Sequence, residues 1–138
     1  MEQQRITVET TAAVPVETAW EAYTVPAHIQ QWNFASPEWH CPAASVDLRE
    51  GGRFSSRMEA RDGSMGFDFE GTYLKIVTHQ RIEYEFGGRI AEVTFTPRGD
   101  GTDVRVSFDP ETTHSREDQR AGWQAILDNF ASHAETLN

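Results

Sequence analysis

The chain has 138 residues, 38% of them hydrophobic and 25% charged, and its 15 aromatics (8 Phe, 4 Trp, 3 Tyr) supply enough apolar volume for a sizeable core. Twelve basic residues against 22 acidic ones give a formal charge of −10, which repels a polyphosphate or an anionic bilayer over most of the surface. Length argues for one domain, charge argues against a nucleic-acid or membrane-surface protein, and composition argues against disorder.

At the amino terminus, Ile6, Val8, Thr10, Ala12 and Val14 fall on alternate positions, the pattern of a half-buried first strand. Pro15 opens a helix whose Val16, Ala19, Trp20 and Tyr23 share one face and which ends near Thr24. Pro26 interrupts it, and residues 27–32 are expected to add another turn of helix. A loop with Trp32, Phe34, Pro37, Trp39, His40 and Pro42 is then expected.

From Ala44 to Asp109 the pattern becomes short alternating runs separated by turn signals at Gly51-Gly52, Asp62-Gly63, Gly87-Gly88 and Gly99-Asp100-Gly101. Strands are predicted near 44–49, 53–60, 66–77, 80–86, 89–97 and 103–108. The predicted inward sets are Phe54, Ser56 and Met58; Phe67, Phe69 and Gly71; Ile82, Tyr84 and Phe86; Ala91, Val93 and Phe95; and Val104, Val106 and Phe108. Glu83, Glu85, Glu92, Arg105 and Ser107 then face outward, as in an antiparallel sheet with one wet face.

Ser115 followed by Asp118 resembles a capping box, and Trp123, Ile126, Leu127, Phe130, Ala134 and Leu137 recur beyond it at helical spacing. The spacing predicts an amphipathic helix from Arg116 to the end, about 22 residues and about 33 Å long. The order predicts an α+β domain over residues 1–138: a curved antiparallel sheet of six or seven strands around a long carboxyl-terminal helix, with two short helices after strand one. A helix that fills only part of a curved sheet leaves a concave apolar pocket beside it.

Pro15-Val16 with Ala19-Trp20, Trp32, Asp47-Leu48-Arg49-Glu50-Gly51-Gly52-Arg53-Phe54, Asp62-Gly63, Gly71-Thr72-Tyr73 and Ala121-Gly122-Trp123 together resemble the START-like (SRPBCC) superfamily. Within it the chain is most similar to the group of the heat-shock protein 90 ATPase activator homologue. The resemblance spans nearly the whole chain. It implies a helix-grip (START/Bet v 1-like) fold with a deep hydrophobic cavity between sheet and helix. The superfamily includes lipid carriers, hormone receptors and polyketide cyclases, so resemblance alone assigns no single activity.

The expected function is binding of a small hydrophobic molecule. Its walls would include Phe54, Met58, Phe69, Val93, Phe95, Trp123 and Leu127, its rim Trp32 and Trp39, and His40 or Tyr84 would orient a polar end. No cofactor is required. Two alternatives stand beside this reading: a cofactor-independent cyclase or lyase using the same cavity, which needs an inward acid/base pair, and a co-chaperone-like interaction module. The family's eponymous activator carries an additional amino-terminal domain for its partner, which weakens the second alternative.

His40 and Cys41 point in opposite directions on an extended segment, so both reaching one metal or one substrate atom is not expected. Asp68 and Glu70 are expected to face solvent, and His28, His79, His114 and His133 are expected at the surface without metal-ligand spacing. Trp20 and Phe130 are read as core. The glycine pairs lack a following helix that could hold a phosphate, and no serine has a hydrolase context. Cys41 is the only cysteine, the amino terminus has no apolar leader, and no apolar run approaches a membrane span, so a cytoplasmic protein is expected. Exposed strand edges would permit a homodimer.

Overall fold

Alternating burial along the chain builds the sheet, as a computed structural model describes for residues 4–137. Its strands are β1 (Ile6–Ala12), β2 (Trp39–Val46), β3 (Arg53–Ala60), β4 (Gly66–Val77), β5 (Arg81–Phe86), β6 (Arg89–Arg98) and β7 (Gly101–Phe108). They form one sheet in the order β1-β7-β6-β5-β4-β3-β2, with every neighbour antiparallel. The helices α1 (Val16–Thr24) and α2 (Pro26–Trp32) carry the chain from one edge of the sheet to the other, and α3 (Arg116–Glu135) packs against β1 and both short helices. The result is a curved half-barrel gripping a long helix.

Local chemistry accounts for these boundaries. Gly87 and Gly88 have φ of 56° and 81°, the left-handed pair that a two-residue hairpin between β5 and β6 requires. Pro26 opens α2 at its first turn, where its missing N–H costs no helical bond. Ser115 caps α3 by accepting from the Asp118 N–H at 3.0 Å, the box expected from the sequence.

The core lies between the concave face and α3. Leu127, Phe130, Ala131 and Ala134 are the buried apolar residues of α3, spaced three and four apart, and they share one core with inward residues of the sheet such as Ile6, Val104 and Phe108. Phe130 is fully buried, which contributes about 1.5–3 kcal/mol of apolar transfer. The opposite face is polar: the Arg81 Nη2–H donates to Glu83 and Glu92 at 2.7 and 2.6 Å, and the Thr7 and Ser107 hydroxyls meet at 2.9 Å.

Several boundaries differ from the expectations. The first strand ends at Ala12, and Val14 is buried beyond it, its carbonyl accepting from the Thr102 hydroxyl at 2.8 Å. β2 begins at Trp39 and ends at Val46, so Trp39 and His40 belong to a strand and not to the expected loop. The register shifts between His40 and Ala43, and the bulge with Pro42 is tolerated because β2 is an edge strand. A second shift, between Tyr73 and Lys75, turns Leu74 out of the sheet, where it is 47% exposed. α3 ends at Glu135, leaving Leu137 outside the helix.

Candidate functional site

Beneath α3 the concave face does not fill completely. A cavity of about 320 Å³ remains between the sheet, the helix and the α1–α2 segment. The inward alternation of β3 brings Phe54, Ser56 and Met58 to its wall, β4 brings Phe67, Phe69 and Tyr73, and β5 brings Ile82 and Tyr84. α3 contributes Trp123, Ile126 and Leu127 at helical spacing, and Tyr23, Ile29 and Trp32 close the end under the short helices. Aromatic edges hold these walls together: Phe54 meets Tyr84 at 5.0 Å and Tyr73 at 5.1 Å between centroids, and Phe69 meets Trp123 at 6.3 Å.

Trp32 has a further constraint, because its Nε1–H donates to the Ala22 carbonyl at 2.9 Å and fixes the indole against α1. The ring is buried and faces Tyr23 and Phe130 at 5.1 and 5.3 Å. Phe67, although on the concave side, is 48% exposed and lies at an open end of the cavity, with Trp39 at 6.0 Å.

All three tyrosines of the chain line this cavity. Burial pushes their phenols far above the ordinary tyrosine range, and each raises the next through charge: Tyr73 acts on Tyr23, and both act on Tyr84. They are therefore neutral donors at every physiological pH. None of the three hydroxyls bonds to a described protein group. Among the described residues, Arg89 is the single charged side chain on the lining. Its guanidinium sits 4.4 Å above the Phe86 ring, and one Nη1–H donates to the Asp109 carbonyl at 3.3 Å.

Of the residues expected at the site, Trp32, Phe54, Met58, Phe69, Tyr84, Trp123 and Leu127 are brought together around the cavity. Trp39, His40, Val93 and Phe95 are not. Val93 is fully buried between Ile82 and Val106 in the middle of the sheet. Phe95 is covered by α1, with Trp20 and Tyr23 at 5.2 and 5.6 Å. His40 lies on edge strand β2, where its Nε2 is 3.8 Å from Glu59 across the strand pair. Trp39 stays outside, against Phe67.

Sequence reasoning missed Tyr23, Tyr73 and Arg89, although parity carries two of them. Tyr73 continues the run Phe67, Phe69, Gly71, and Arg89 lies two residues before inward Ala91 and opposite inward Phe86. Tyr23 was legible only as a core-facing helical residue.

Cys41 is buried, its thiol directed at the Ala43 carbonyl at 3.4 Å and raised in pKa by burial, so it is a poor nucleophile. Asp68 is exposed beside Arg57 at 3.4 Å, and Glu70 is exposed as well. Against expectation, two histidines are not separate surface groups: His28 Nδ1 on α2 and His133 Nε2 on α3 are 3.0 Å apart and partly buried. Helix packing joins them across 105 residues of sequence, beyond any local spacing rule. Among the described residues no group of three or more His, Cys, Asp or Glu is placed to hold a metal, and no helix is long and apolar enough to cross a membrane.

An antiparallel half-barrel gripping a carboxyl-terminal helix over an apolar cavity defines a helix-grip protein of the START-like class, a fold that commonly binds ligands. The family model for Activator of Hsp90 ATPase homolog 1-like protein matches residues 13–135, and the chain belongs to that family. Solved structures agree. The AHSA1-like protein from Aeromonas hydrophila is 40% identical and superposes with a TM-score of 0.87, covering 96% of this chain and 94% of that one. A protein of Cytophaga hutchinsonii is 50% identical with a TM-score of 0.82, over 96% of this chain and 93% of its own. A Nitrosomonas europaea protein at 21% identity shares the fold, with a TM-score of 0.83 over 97% and 96% of the two chains. Comparison with functionally curated proteins finds no significant match.

Proposed function

We propose that this chain, one START-like domain over residues 1–138, is a cytoplasmic binding protein for a small hydrophobic molecule held between the sheet and α3. The observation that carries the reading is the apolar cavity of about 320 Å³, within the range of small-molecule sites and walled mainly by aromatic and aliphatic side chains. Burial supplies the affinity, at about 0.8 kcal/mol per methylene removed from water before the entropic cost of association. Tyrosine hydroxyls supply direction, since each is a donor with no partner among the described residues. Among the described residues the lining holds no carboxylate and no imidazole, so the binding reading accounts for its chemistry more fully than acid–base turnover does.

Native mass spectrometry of the freshly purified protein, followed by denaturation of the same sample, tests this directly. The expected result is a discrete extra mass that is released on denaturation and is lost when Tyr84 and Trp123 are both replaced by Ala. An apolar probe such as 1-octanol, bound equally well by the wild type and by that double variant, would contradict the placement.

A further inference from the structure

Arg89 is out of keeping with the rest of the cavity. Seventeen of the eighteen described lining residues are uncharged, and the exception is a guanidinium on a chain whose formal charge is −10. Such a chain has no shortage of carboxylates, yet Arg89 forms no ion pair among the described residues. Its neighbouring acids are engaged elsewhere. Asp109 receives the Arg5 Nε–H at 3.1 Å and the Ile90 N–H at 2.9 Å through its carboxylate, offering Arg89 only its backbone carbonyl. Glu111 is turned to His114, whose Nδ1 is 2.9 Å away, and it feels the Arg89 charge only from beyond ion-pair distance.

What holds Arg89 in place is the Phe86 ring beneath it and one bond to a carbonyl, which leaves most of its five N–H donors unassigned. On the same lining lie the three unpartnered tyrosine hydroxyls, and Tyr84 is near enough to Arg89 for that charge to act on its phenol. A cation without an ion-pair partner among the described residues and a set of free donors, in walls that are mainly apolar, is complementary to one kind of occupant.

We propose that the molecule bound here is an amphipathic monocarboxylate, its apolar body against Phe54, Phe69 and Leu127 and its carboxylate on the Arg89 guanidinium, with Tyr84 as a second donor. This rests on the binding reading above and adds a chemical class to it. A guanidinium pairs with a carboxylate through two parallel N–H bonds, a geometry that a neutral alcohol cannot reproduce. The volume corresponds to about ten waters at ~30 Å³ each, so an acid of about ten non-hydrogen atoms fits it. Because the net charge of the chain repels anions at long range, the preference arises at contact.

The test compares octanoate with 1-octanol, two probes alike in their chain and different in their head, titrated into the full chain at pH 7. Octanoate is expected to bind at least about tenfold tighter, with the ratio of the two affinities falling to within about threefold in Arg89→Met. Arg89→Lys retains the charge without the paired N–H geometry and keeps part of the preference. In the wild type alone, the two affinities converge as pH falls through the carboxyl range near ~4–5. Equal binding of the two probes by the wild type, or a preference that survives Arg89→Met, overturns the carboxylate assignment and leaves the apolar cavity standing. Binding of neither probe overturns both readings.

Discussion

The indole of Trp123 lies flat on the ring of Phe108, with centroids 3.8 Å apart and planes 10° from parallel. The same indole meets Phe86 at 5.6 Å and Phe69 at 6.3 Å, so one side chain from α3 touches three strands and also forms part of the cavity wall. Packing and binding are thereby joined in one residue.

Replacing Trp123 by Ala is expected to cost about 3 kcal/mol of stability, at the lower end for a large aromatic because one side of the ring already faces open space. Urea denaturation measures this. Trp123→Phe, which keeps a ring on Phe108, recovers most of the loss, whereas a cost below about 1 kcal/mol for the Ala variant would show that the stack does not anchor α3.

Alkaline titration probes the cavity through the three tyrosines. Burial raises each phenol above its ordinary value of 10.0, so the folded state keeps protons that the unfolded chain releases. Their contribution to stability is complete below pH about 10 and is lost as pH rises beyond it. The expected spectrum shows no phenolate absorbance in the native protein at pH 10–11 and a sharp rise when the protein unfolds. Gradual ionisation of a tyrosine in the folded protein near pH 10 would place its hydroxyl in bulk water.

At the acid end the informative pair is His28 and His133. Burial, and secondarily the charge of His28, lowers the His133 pKa below the ordinary 6.5. The unfolded chain therefore binds the proton first, and stability declines as pH falls below about 6.5. His133→Gln is expected to flatten the stability profile between pH ~6.5 and ~5 while leaving the carboxylate-dependent loss at lower pH. An unchanged slope in that variant would contradict the assignment.

Two glycines give opposite expectations. At Gly71 a Cβ would collide with the Glu85 carbonyl oxygen and come within 2.9 Å of Phe54 Cζ on the cavity wall, so Gly71→Ala is expected to lose about 2 kcal/mol or more. Gly122, inside α3, has nothing within 4 Å of such a Cβ, and Gly122→Ala is expected to gain up to about 1 kcal/mol. Thermal unfolding of the two variants, with shifts of opposite sign, checks the close approach of β4 to β5.

Alternation made β3 and β4 legible at residues 53–60 and 66–77, the bounds that the structure has, because Gly51-Gly52 and Asp62-Gly63 bracket β3 and open β4, whose far end is a turn through His79 at φ 65°. β2 was hidden by Pro42, which reads as loop anywhere except on an edge strand with a bulge. Alternation also tells which face a residue takes without telling what covers that face. Val93 and Phe95 point inward as expected, yet Val93 is buried between Ile82 and Val106 and α1 covers Phe95, while Arg89 on the same strand reaches the cavity. Tyr23 joins Tyr73 and Tyr84 only once the short helices close over the sheet, and His28 meets His133 only when α2 packs on α3. Both are tertiary events with no local signature.

The central claim, that the space between sheet and α3 is a binding site for a small apolar molecule, is tested most directly by nuclear Overhauser contacts between protein and bound 1-octanol. The account predicts cross-peaks from the octyl chain to the Leu127 and Met58 methyl groups and to the Tyr84 ring, all on the cavity lining. Contacts confined to exposed side chains such as Met65 and Leu74, at 66% and 47% exposure, would contradict it.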